Sequence, residues 1–164
     1  MGKYLGINNT TGDLDEIASS NVSTGATDAG KIPELDASGR LSSTMMPIGI
    51  VPDVKIFTAL EALSAGDFVE ITATGVRKAD RSNGRKADGF VIAAVASAAS
   101  ATVYRDTTNT GVSGLTVGAR YYLGLAGAIT ATVTTTSGQL HQYLGIALAA
   151  TELDVEIDRP ITRA

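Results

Sequence analysis

Hydrophobic and polar positions divide the chain into two stretches with different periodicity. Over residues 1–50, isolated apolar side chains such as Ile32, Leu35 and Leu41 are set among Ser, Thr, Gly, Asn and Asp, with no sustained period of 3.6 or 2. Such a segment builds no continuous buried face. Ordering a backbone costs roughly 1–2 kcal/mol per residue, so this stretch is predicted to be disordered in isolation and fixed only when laid along another surface. The one local element it suggests is a helical turn over 15–18 capped by Thr11 or Asp13, and a single turn is marginal in water.

From about Val54 onward the pattern becomes short β-prone runs punctuated by glycine, asparagine and aspartate. Runs at 55–58, 67–72, 75–78, 101–105, 120–123, 128–133 and 142–148 are predicted strands. The run at 89–95 is nearly all apolar, as expected of a strand covered on both faces. Residues 152–158 alternate without exception, which directs Leu153, Val155 and Ile157 to a core and four carboxylates outward. A helix of two turns at most is predicted at 59–64. Strands spaced by about ten residues with glycine turns give an all-β fold, a compact antiparallel barrel or sandwich over 51–164, preceded by a long extended N-terminal arm over 1–50. Its predicted core is Phe68, Val91, Ile92, Val95, Leu123, Leu144, Ile146, Val155 and Ile157.

Composition narrows the functional classes. Of 164 residues, 44% are hydrophobic but only 5% aromatic, so burial is spread over many small side chains and no deep aromatic pocket is implied. There is no cysteine, which removes disulfides and thiolate metal sites. No stretch reaches the roughly 18 apolar residues of a membrane span and no apolar leader core opens the chain, so no membrane partner is expected. A net charge of -4 argues against binding nucleic acid through its phosphates.

Candidate chemistry is sparse. The chain has one histidine, His141, beside a predicted strand, and spacing reveals neither a nucleophile nor an orienting group for it; it reads as an ordinary strand residue. The carboxylates of 152–158 fall in a row about 6–7 Å apart rather than converging on one ion. No phosphate loop follows the glycine turns near 111–114 and 124–127. No catalytic, cofactor-binding or metal-binding residue is therefore predicted, and no small-molecule substrate. What remains is a cluster of five cations, Arg77, Lys78, Arg81, Arg85 and Lys86, flanking turn chemistry at 80–84. It reads as a solvated hairpin tip or as a cationic knob that docks on an acidic neighbour.

The arm carries the opposite bias, with Asp13, Asp15, Glu16, Asp28, Glu34 and Asp36 against Lys3, Lys31 and Arg40. Its apolar residues Ile32, Leu35, Leu41, Met45 and Met46 are the predicted anchors. Each buried anchor contributes roughly 1.5–3 kcal/mol, against about 1 kcal/mol or less for a rim charge, so apolar contacts set residence time and charge sets arrival.

The run from Gly25-Ala26-Thr27-Asp28-Ala29-Gly30-Lys31-Ile32-Pro33-Glu34-Leu35 through Asp36-Ala37-Ser38-Gly39-Arg40-Leu41 to Met45-Met46-Pro47 resembles a segment of tailed-bacteriophage structural proteins, tail fibres and baseplates included. The stretches Gly89-Phe90-Val91, Gly118-Ala119-Arg120-Tyr121-Tyr122-Leu123-Gly124 and Gln142-Tyr143-Leu144-Gly145-Ile146-Ala147 resemble the β-domain of phage head decoration, or cement, proteins. Together the similarity covers about two thirds of the chain. It implies a non-enzymatic virion protein, made in the host cytoplasm, that binds assembled major capsid protein from outside the capsid, commonly as a homotrimer, and stabilises the shell. A tail-fibre, baseplate or other tail protein is the alternative, although neither long repeats nor coiled-coil heptads are present. A carbohydrate-binding module or hydrolase is a third class, disfavoured because the tyrosines and phenylalanines fall mostly within core-like runs.

Overall fold

A computed structural model describes residues 2–8, 10–46 and 53–164. Pro47 of the virion-like motif and the predicted boundary at 50/51 lie outside the described residues. The chain separates into two compact units, Met1–Val51 and Pro52–Ala164.

In the first unit, β1 (Lys3–Ile7) and β2 (Leu14–Ala18) form an antiparallel hairpin in register from Lys3 opposite Ala18 to Ile7 opposite Leu14. The predicted helical turn at 15–18 is therefore a strand. Pairing along β1 satisfies more backbone groups there than one isolated turn could. Beyond the hairpin, Ser20 donates its N–H to the Ile32 carbonyl at 3.1 Å and accepts from the Glu34 N–H at 2.8 Å. Two 3-10 turns, Ala26–Asp28 and Ser43–Met45, and an Asp36 side-chain turn that accepts from the N–H groups of Ser38 and Arg40 complete the unit. The extended arm expected from composition is thus a hairpin followed by local turns. Polar contacts hold it: the single Ser19 Oγ–H is shared between the Gly2 carbonyl, 2.8 Å away, and the Glu34 carboxylate. Among the described residues of this unit, the buried ones are Ser19 and Ser20.

The second unit contains β3 (Val54–Thr58), β4 (Phe68–Ile71), β5 (Val76–Lys78), β6 (Gly89–Phe90), β7 (Ser100–Tyr104), β8 (Thr108–Asn109), β9 (Arg120–Leu123), β10 (Ile129–Thr130), β11 (Leu140–His141), β12 (Tyr143–Ala149), β13 (Glu152–Val155) and β14 (Ile161–Thr162). These build antiparallel sheets of order β3-β7-β6-β4-β5 and β10-β9-β12-β13-β8, with β11 and β14 as a separate pair. The all-β expectation holds.

The first sheet curls until its two edges meet. Ala59, just after β3, bridges Val76 of β5, and the Leu60 N–H donates to the Val76 carbonyl at 2.8 Å. The crossing is tight enough that a Cβ on Gly75 would lie 2.2 Å from the Thr58 oxygen, so glycine is required there. Side-chain alternation along β4 then feeds two cores. Phe68 packs with Phe90, Leu123, Leu144 and Leu153, while its neighbour Val69 packs with Leu63, Val76, Val91 and Val103 inside the curl. Aromatic contacts continue the first cluster, with Phe68 and Phe90 centroids 5.7 Å apart and Phe90 and Tyr104 5.8 Å apart.

Several predicted elements change on packing. Residues 59–64 are not helical: Ala59 and Leu63 make bridges to Val76 and Val95, and long-range pairing overrides local propensity. The strand predicted at 89–95 is shortened to Gly89–Phe90, with Val95 kept only as an isolated bridge to Leu63, and that at 128–133 is confined to Ile129–Thr130. Leu153 and Val155 are buried, Ile157 is half-buried and the four carboxylates are exposed, although pairing ends at Val155. Ile146, predicted as core, is 37% exposed. A register shift between Tyr143 and Gly145 against β9 inserts Leu144 as an extra residue and reverses the alternation, so that Gly145 and Ala147 turn inward and Ile146 and Leu148 turn out.

Candidate functional site

The cationic hairpin is formed as predicted from its turn residues. Asp80 and Arg85 exchange backbone bonds of 2.8 and 3.1 Å, and the Asp80 side chain accepts from the Ser82 N–H and hydroxyl. Burial raises the Asp80 pKa, but hydrogen bonds from Ser82 and the Ala126 N–H outweigh it and hold the carboxyl below its ordinary range. The five cations, however, do not form an uncompensated knob. Arg77 pairs with Glu70 at 2.7 Å, Lys78 with Asp67 at 3.1 Å, Lys86 with Asp88 at 2.7 Å, and Arg85 lies 3.9 Å from Glu61. Arg81 is half-buried, with its Nε enclosed and without a hydrogen-bond partner. A net positive surface for steering is largely cancelled within the domain.

The predicted apolar anchors are placed differently. Ile32, Leu35, Leu41 and Met46 are exposed and Met45 is half-buried beside Thr44 and Met46, in a shallow hollow reached also by Pro33. The hairpin adds anchors that sequence reading missed. Leu5, Ile7 and Leu14 are 71%, 66% and 69% exposed. Leu5 and Ile7 alternate with Tyr4 and Gly6, and Ile7 is directly opposite Leu14, so the three share one face. Tyr4 faces the other way and its hydroxyl donates to the Gly30 carbonyl at 3.0 Å. The signal in the sequence is an alternation confined to residues 3–7, too short to register as a sustained period.

His141 is not an isolated strand residue. Its ring is 4.9 Å from that of Tyr122, which in turn meets Tyr143 edge-on at 5.9 Å, and its Nδ1 is enclosed without a partner. Tyr122 and Tyr143 are paired across β9 and β12 on the outer face of the second sheet. With Arg120, Glu156 and Asp158 they line a cleft of about 360 Å³. Burial, then Glu156, pushes the Tyr143 phenol above its ordinary pKa, while Arg120 opposes this. Among the described residues, no group of three or more His, Asp or Glu side chains is arranged to hold a metal ion. No helix of the described residues is long and apolar enough to cross a membrane.

Comparison with known proteins adds no relative: no family model, no curated protein and no solved structure matches this chain.

Proposed function

We propose that this is a non-enzymatic virion structural protein that binds the outside of an assembled phage capsid and stabilises it. The observation that carries the reading is the inverted first unit. Its apolar side chains Leu5, Ile7, Leu14, Ile32 and Leu35 are exposed while, among the described residues, its buried positions are Ser19 and Ser20. A surface of that kind gains most of its stabilisation when it is covered, as in segments that complete their order on binding. The occupant proposed is major capsid protein on the shell exterior. The second unit has its own core and needs no such partner, which suits a body carried by an attachment module. Compensation of the cations around 80–84 shifts the weight of attachment further onto apolar contacts. A homotrimer is proposed on the family resemblance.

The test is co-sedimentation of the purified full chain with empty capsid shells, with isolated tails as the comparison. Saturable pelleting with shells, lost on deletion of residues 1–45 while far-UV circular dichroism of the remaining domain is retained, is the expected result. Equal attachment by the truncated protein, or pelleting with tails alone, overturns it. Light scattering together with a map of the decorated shell checks the trimer; isolated single copies would exclude it.

A further inference from the structure

We propose that the cleft on the outer face of the second sheet is a binding site for a neutral saccharide. Three rings supply its floor: His141 against Tyr122 at 4.9 Å and Tyr143 edge-on to Tyr122 at 5.9 Å. Rings arranged in this way, partly exposed on a sheet face, offer an apolar shelf to the C–H face of a sugar ring and lose little conformational entropy on contact. Around the shelf stand groups of opposite hydrogen-bonding character. Arg120 only donates, Glu156 and Asp158 as carboxylates only accept, and the Tyr143 hydroxyl does both.

That mixture decides the ligand class. An anionic ligand would meet two carboxylates against one guanidinium. A simple cation would meet Arg120 on the same rim, where its charge is close enough to act on Tyr143 against Glu156 and Asp158. A ring bearing several hydroxyls, each both donor and acceptor, satisfies donors and acceptors together without needing a net charge. The Tyr143 phenol is protonated at neutral pH, as any tyrosine is, and able to donate. His141 also lines the cleft, and its enclosed Nδ1 has no hydrogen-bond partner, so no internal hydrogen bond at that nitrogen selects the tautomer. These residues come from four places in the chain, Arg120 and Tyr122 from β9, His141 from β11, Tyr143 from β12, and the two carboxylates from the segment just after β13. The site exists only once the sheet is assembled.

The chain has no tryptophan and five tyrosines, two of which line the cleft, so tyrosine emission reports ligand contact directly. The full chain, free of shells, is screened on a microarray of defined neutral, sialylated and sulfated glycans, and hits are titrated by tyrosine fluorescence. Binding to at least one neutral glycan is expected, weakened about tenfold or more by Tyr143→Ala and severalfold by Glu156→Gln, with Lys31→Glu unchanged. Arg120 and Glu156 are exposed, so Arg120→Gln and Glu156→Gln carry the test if Tyr143→Ala does not fold. Binding to no glycan, to charged glycans alone, or to an oligolysine peptide in place of sugars overturns the proposal, as does a neutral glycan whose affinity survives all three cleft substitutions. Because no shell is present, the outcome is separate from that of capsid attachment.

Discussion

The two units of this chain solve the same problem with opposite materials. In the second, β4 is buried on both faces and places Phe68 in one apolar cluster and Val69 in another, so two sheets share the stabilisation. In the first, Leu5, Ile7 and Leu14 face outward, and hydroxyls, carboxylates and backbone bonds hold the turns together. Net hydrogen bonds contribute about 1 kcal/mol each, whereas a fully buried large apolar side chain contributes roughly 1.5–3 kcal/mol. One unit is therefore stable for its own sake, and the other is shaped but lightly held. A chain can carry an ordered apolar face without hiding it in a core.

The largest expected break in this contrast comes from placing one charge in each unit. Val155→Asp puts an unpaired carboxylate among Leu153, Leu144 and Phe68, and should remove about 4 kcal/mol or more, abolishing the cooperative thermal transition of the β-domain seen by circular dichroism. Leu5→Asp, on the exposed hairpin face, should stay within about 0.5 kcal/mol in the free protein. Equal losses would erase the distinction between the units.

Glycines sharpen it next. A Cβ on Gly145 would lie 1.9 Å from the Asp154 oxygen at a φ of 152°, so Gly145→Ala should cost about 3 kcal/mol in denaturant unfolding. Gly39 has a φ of 72° with nothing within 4 Å, and Gly39→Ala should cost about 1 kcal/mol, from backbone conformation alone. Gln142 offers a polar counterpart inside the β-domain. Its amide accepts from the Ala87 N–H at 2.8 Å and donates to the carbonyls of Ala87 and Asp158, each at 2.9 Å. Gln142→Leu strands these groups and should cost roughly 2–3 kcal/mol.

The smallest effect belongs to the first unit and to acid. Lys31, then the Thr24 hydroxyl and N–H, hydrogen-bond the Asp28 carboxylate and hold its pKa well below the usual carboxylate range. A pKa depressed by folding supports the fold fully above the unfolded value of 3.8 and ceases to do so as pH falls through the folded value. Exchange protection of the Thr24 amide should be flat between neutral pH and about pH 4 and decline in stronger acid, while Asp28→Ala, which removes the acceptor, should lose the protection at all pH values. A decline beginning at neutral pH would show that a different group holds the turn.

Much of the β-domain was readable because alternation survives tertiary packing wherever one face is covered: Leu153 and Val155 are buried between exposed carboxylates as residues 152–158 predict. It fails at Ile146 because a glycine within a strand marks a bulge that inverts the faces, and Gly145 sits inside an otherwise continuous apolar run that hides the break. The segment 59–64 misled for another reason, since its partners Val76 and Val95 lie far along the chain and local propensity cannot register them. The aromatic cleft was invisible as a motif because its residues come from three strands. A weaker clue was present: adjacent Tyr121 and Tyr122 cannot both face inward on one strand, and Tyr121 is the buried member of the pair. The charge cluster at 77–86 was readable as a hairpin, but its neutralisation by Glu61, Asp67, Glu70 and Asp88 depends on where the neighbouring strands place those acids.

The turn closed by Asp80 and Arg85 has a consequence for engineering. Its ends are pinned by reciprocal backbone bonds and its middle, Ser82 to Gly84, is exposed, with a Cβ at Gly84 meeting nothing within 4 Å. Lengthening a loop whose ends are already fixed costs only about 0.6 kcal/mol for each doubling. A foreign peptide spliced between Asn83 and Gly84 would therefore hang from a rigid base without disturbing either sheet, making this tip a natural mount for epitope display.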